Sequence, residues 1–111
     1  MDILSKYVTN IDSLKVPETR KLAGKILKEN KNEKELLLFA RELFKSGSKN
    51  KIRVGINLLI SLSLAPRNLI EEKIKILSES EDWELREEAA QAIRSLLEID
   101  FDEWFPLLKE F

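Results

Sequence analysis

The sequence predicts an all-α protein, a right-handed α-solenoid of short helical hairpins made of three pairs and a seventh helix. Three observations predict it. Apolar residues recur at three- and four-residue spacing along the chain, with no sustained alternation of period two. The pattern returns at an interval of 33 residues. The breaks between apolar runs carry the chemistry that starts and stops helices.

The first helix is expected over about 2–12, with Ile3, Leu4 and Ile11 on its apolar face. A second, about 17–29, opens with Pro17, whose missing N–H costs nothing in a first turn. The third covers about 33–45 and ends at Ser46-Gly47-Ser48, a flexible corner. The fourth runs over about 50–63, with Pro66 after its end, and the fifth over about 67–79. Asp82 is placed to cap the sixth, about 83–98, with Glu84, Glu87 and Glu88 near the positive end of its dipole. The seventh, about 101–110, bears Phe101, Trp104, Phe105, Leu107, Leu108 and Phe111.

A shift of 33 residues superposes Arg20, Arg53 and Arg86. It also superposes Thr19, Ile52 and Leu85; Ala23, Ile56 and Ala89; Ile26, Leu59 and Ala92; and Leu27, Ile60 and Ile93. In the preceding helices Ile3, Leu36 and Leu69 align, as do Leu4, Leu37 and Ile70, and Ile11, Phe44 and Leu77. The repeats fall at about 1–31, 32–64 and 65–98, with a terminal helix at 100–111, in one domain. A single hairpin buries too little surface to fold alone, so consecutive pairs are expected to stack.

A turn followed by an apolar-Arg step and an Ala-bearing helix resembles the HEAT repeat, here through Asp82, Leu85, Arg86, Ala89, Ala90, Ile93 and Leu96. The resemblance implies that Asp and Arg tie repeats together through the inter-helix turns. It also implies that the second helices line a concave face. Arg20 and Arg53 have Val16 and Lys49 where that Asp would stand. The segment "SEDWELREEAAQAIRSLLEIDFDEWFPLLKEF" is similar to HEAT-like repeats of the DNA alkylation repair family of glycosylases. That likeness implies a larger array holding DNA on a basic concave surface. Part of the family uses a Trp–Asp pair one helical turn apart for the lesion; here Trp83 is followed by Glu87 and Trp104 by Leu108.

Composition narrows the chemistry. With no Cys and no His, thiolate metal sites, disulfides, Cys nucleophiles and His-based acid–base catalysis are excluded. No Gly-rich phosphate loop or nucleophile elbow occurs, so catalytic residues, cofactors and metals are not expected, and the sequence points to binding rather than catalysis. No apolar run reaches the length of a membrane span, and the start lacks a signal-peptide layout, which suits a cytoplasmic protein. Lys and Glu abound while Gln occurs only at Gln91, a bias common in heat-adapted proteins.

Net charge is −1, but residues 1–70 carry 14 Lys/Arg against 7 Asp/Glu, and residues 71–111 carry 5 against 13. The basic part is a candidate surface for nucleic acid. The stripe opposite the core is expected at Pro17, Lys21, Gly24 and Lys28; Asn50, Val54, Asn57 and Ser61; and Trp83, Glu87, Ala90 and Arg94. From it, and from the basic turn "KSGSKNKIR", come the candidate binding residues Lys21, Lys28, Lys49, Lys51, Arg53, Asn57, Trp83 and Arg94. The acids of "SESEDWELREE" are read as solvated and dipole-stabilising. Trp104, Phe105 and Phe111 are candidate interface residues, because the seventh helix has aromatics on more than one side and no partner helix in the sequence. Either the chain belongs to a longer array or this end docks on a protein partner or a second copy. The functional expectation is a scaffold that binds a macromolecule. A DNA-binding relative or fragment of the repair glycosylases is the alternative.

Overall fold

The computed structural model describes residues 6–110, and every regular element among them is helical. Six α-helices follow in order: α1 Val16–Glu29, α2 Glu33–Lys45, α3 Lys49–Leu59, α4 Arg67–Ser78, α5 Trp83–Ile99 and α6 Phe101–Leu108. The chain divides into two compact units, Met1–Leu64 and Ala65–Phe111.

The expected first helix is corrected. Residues 2–5, with Ile3 and Leu4, lie outside the described residues, and residues 6–13 hold 3-10 turns, the second at Ile11–Ser13. Thr9, Asn10, Asp12 and Ser13 crowd this stretch, and such side chains compete with helical backbone bonding. Ser13 shows the competition directly, donating its hydroxyl to the Asn10 carbonyl at 2.8 Å.

In the first unit, α1 starts with Pro17 in its first turn, and the Glu18 carboxylate accepts from the Lys15 backbone N–H at 2.7 Å. Asn32 caps α2 by accepting from the Lys34 and Glu35 N–H groups. Gly47, at φ 79°, makes the corner that side chains resist, and Ser48 then caps α3. Helix α3 lies against α1, α2 and the 3-10 turn. It buries Ile52, Arg53, Val54, Gly55, Ile56, Leu58 and Leu59. Gly55 marks the closest approach: an added Cβ would stand 3.2 Å from the Ala40 carbonyl oxygen and 3.3 Å from Leu43 Cβ. The helix stops at Leu59, short of the expected 63, where Ser63 Oγ and the Leu64 N–H turn back to the Glu33 carboxylate.

In the second unit, Ile70, Ile74 and Leu77 are the buried side of α4. Asp82 caps α5, accepting from the Glu84 N–H at 2.9 Å as its position predicts. Ala89, Ala92, Ile93 and Leu96 carry the buried face of α5. Asp100 alone joins α5 to α6 and caps α6 by accepting from the Glu103 N–H at 3.1 Å. Trp104 and Leu107 are then turned inward.

Two of the aligned apolar sets behave alike, while Leu27 is half-buried where Ile60 and Ile93 are buried, and Phe44 is half-buried where Ile11 and Leu77 are buried. Ala23, Ile56 and Ala89 are all buried, and so are Ile26, Leu59 and Ala92. The three aligned arginines do not behave alike. Arg20 is half-buried, Arg53 is buried, and Arg86 is exposed.

Candidate functional site

A groove of about 330 Å³ lies in the second unit. Its wall is one face of α5, formed by Arg86, Ala89, Ala90, Ile93, Arg94 and Leu97. Ser78, at the end of α4, and Leu108, on α6, complete it. The sequence explains why it is open. Ala89 and Ala90 leave the helix surface low, while Arg86 and Arg94 stand one turn before and one turn after them. Two guanidinium groups and no carboxylate line the groove. Arg86 is held by its own turn, with Nη1 donating to the Ser80 carbonyl at 2.8 Å and the Glu81 carbonyl at 3.0 Å. Arg94 donates from Nη2 to Gln91 Oε1 at 3.0 Å and is exposed. The arrangement suits an apolar ligand surface bearing negative charge. Its one hydroxyl, on Ser78, donates to the Lys75 carbonyl at 2.8 Å.

Among the candidate residues, Trp83 and Arg94 share the exposed stripe of α5 with Glu87 and Ala90. The Trp83 ring, 61% exposed, stands at the first residue of that helix. Lys21 and Lys28 share an exposed face of α1, with Gly24 between them. The basic turn is corrected. Arg53 is buried, and its Nη1 donates to Asn50 Oδ1 at 2.9 Å. Lys51 is turned toward Asp12, at 3.8 Å, and Ser48 Oγ donates to the same carboxylate. Of the three proposed phosphate ligands only Lys49 has an exposed side chain. Asn57 donates to the Arg53 carbonyl at 2.7 Å, and Val54, on the same expected outward stripe, is fully buried. The reason is common to all of these: α3 packs against α1, α2 and the 3-10 turn, so its polar stripe is only partly open to solvent.

Trp104 is also corrected. It is buried, and the Arg67 guanidinium lies over its ring at 4.5 Å. Arg67 is paired with Glu103 and with Glu71. Partial burial works against the Arg67 charge, but the hydrogen bonds and charges of Glu103 and Glu71 outweigh it and raise its pKa above the usual arginine value. Phe105 is half-buried and stacked on Phe101 at 5.1 Å, with Lys109 over its ring. Phe111 lies outside the described residues.

Sequence reasoning missed the groove itself. Arg86 reads as a repeat mark and Leu108 as end cover. The available signal was the Ala89–Ala90 pair with arginines on either side. It also missed Glu88, expected among solvated acids but buried on α5. A second, more polar hollow of about 620 Å³ is lined by Glu71, Glu72, Glu79 and Glu110 with Asn68, Lys75 and Ser78. Among the described residues no group of acidic side chains is arranged to hold a metal ion, and no helix is long and apolar enough to cross a membrane.

No protein-family model, curated protein or solved structure matches this chain.

Proposed function

We propose that this chain is a non-enzymatic scaffold that binds a protein partner, built from stacked helical hairpins of the HEAT-like kind. The observation that carries this reading is the α5 groove, with its alanine floor and its arginines at both ends. A floor of small apolar residues lets another backbone approach closely. The flanking guanidinium groups give orientation and charge selectivity. The 33-residue recurrence of buried Ala23, Ile56 and Ala89 supports the repeat reading.

Selection from a random peptide library against the immobilised chain tests this. Ala90→Gln, which fills the floor at an exposed position, serves as the counter-target. Enrichment of sequences that bind the native chain and not the variant is the expected result. Enrichment indifferent to the variant would end the reading.

A second reading, as a DNA-binding relative of the repair glycosylases, draws on a specific observation. Lys21, Lys25 and Lys28 are all exposed on α1. The first unit carries 13 Lys/Arg against 7 Asp/Glu, while the second carries 6 against 13. Phosphate contacts are strongest at low salt, so a duplex whose gel mobility is unchanged there would remove this reading.

A further inference from the structure

The two units share one arrangement of elements. Adding 66 to a residue number carries α1 onto α5: Arg20, Ala23, Gly24, Leu27 and Lys28 fall on Arg86, Ala89, Ala90, Ile93 and Arg94. The same shift carries Asp12, in the 3-10 turn, onto Ser78. Helix α2 maps onto α6 with two more residues, because at the shift of 66 α5 ends four residues later than α1 and the connector that follows it is two residues shorter. The caps Asn32 and Asp100 then coincide, as do buried Leu36 and Trp104, and buried Phe39 and Leu107. Ala40 falls on Leu108.

In the first unit these three elements (the 3-10 turn, α1 and α2) are the ones α3 packs against. In the second unit their counterparts, Ser78, α5 and Leu108, are the three that line the groove. Ala40 is fully buried where Gly55 of α3 meets it, whereas Leu108 is 42% exposed. The groove is therefore shaped like the seat of a helix, and among the described residues no helix fills that seat.

We propose that the groove takes an amphipathic helix of a protein partner, seated as α3 is seated in the first unit, with carboxylates turned toward Arg86 and Arg94. This rests on the scaffold reading above and names its partner class. The helix presents a small residue opposite Leu108, as α3 presents Gly55 to Ala40. Its charges follow from the lining. Arg86 and Arg94 lie eight residues apart, about 12 Å along the helix axis, so acids about two turns apart reach both.

The test uses the full chain and a synthetic peptide of residues 48–62, "SKNKIRVGINLLISL", carrying Lys49→Glu, Arg53→Glu and Asn57→Glu, which sets the outer two acids eight residues apart, as Arg86 and Arg94 are. The acidic peptide is expected to bind saturably by fluorescence anisotropy and to gain helical circular dichroism on binding. The unsubstituted, basic peptide should bind at least about tenfold more weakly, a difference of the size that one lost or reversed close charge contact produces. In the chain, Arg94→Glu should reverse the preference between the two peptides, and Ala90→Gln should weaken both. Absence of binding by the acidic peptide, binding without helix gain, or indifference to Ala90→Gln would each overturn the inference. The scaffold reading fails separately. Library binders that depend on the groove but are extended or basic would preserve the scaffold and sink the helix.

Discussion

Helices α3 and α5 hold matching places in the repeat, yet one is enclosed and the other has an open side. Val54 and Glu87 occupy the same register position; the first is fully buried and the second exposed. Helix α3 packs against α1, α2 and the 3-10 turn, whereas α5 packs against α4 before it and α6 after it. A helix with three neighbours needs an apolar arc wider than one face, and α3 supplies it with Ile52, Val54, Ile56, Leu58 and Leu59. Position within a repeat therefore fixes where the core begins. The number of neighbours fixes how far round the helix it extends.

The largest effect that could break this comparison is expected at Trp104. Trp104→Ala removes a buried ring and leaves Arg67 without the surface beneath it, and should cost about 3–5 kcal/mol in urea unfolding. A loss under ~1 kcal/mol would mean that the second unit does not depend on this packing. Next comes Gly55→Leu, which forces a side chain into the α2–α3 contact and should cost about 1–3 kcal/mol by overpacking.

Asn50→Ala probes the ties of α3 to the turn before α1. Asn50 Nδ2 donates to the Ile11 and Leu14 carbonyls at 2.7 and 2.9 Å. Two accepting carbonyls and the Arg53 guanidinium lose a partner, so a cost of about 1–3 kcal/mol is expected by thermal or urea melting. Asp82→Ala should cost less, about 1 kcal/mol, through loss of the α5 cap.

The smallest effect sharpens the comparison most. Ala90→Leu fills space in the groove and should change stability by no more than about 0.5 kcal/mol, in contrast to Gly55→Leu. Equal losses for the two substitutions would show that α5 is as enclosed as α3. Fluorescence offers an independent check. Trp83 should be quenched readily by acrylamide, and a Trp83→Phe chain, with Trp104 alone, should resist quenching.

Much of the helical layout was legible. Asp82 as a cap, Gly47 as a corner and Pro17 in a first turn act through local backbone chemistry, and each stands where its type predicts. The shared burial of Ala23, Ile56 and Ala89 was legible from periodicity. The first segment was not, because its apolar spacing suits a helix while Asn10, Asp12 and Ser13 favour turns. The candidate site was legible in part. Trp83 and Arg94 are exposed on one stripe of α5, but Lys51 and Arg53 are turned inward by Asp12 and Asn50, which lie 39 and 3 residues away. The Lys51–Asp12 approach depends on which elements meet, and Arg53 is buried because α3 packs against α1, α2 and the 3-10 turn.

By itself the sequence determined the helical class, the 33-residue register and the chemistry of the caps. Those properties depend on residue type and on spacing within a few turns. The tertiary structure decided which of three equivalent arginines is buried, where Trp104 points, and that Ala90 of α5 is exposed in the groove. Those properties depend on how many neighbours each helix has, and an internal repeat does not encode that number. Arg53 and Arg86 have the same place in the pattern, and only their surroundings make one a buried tie to Asn50 and the other the border of a groove.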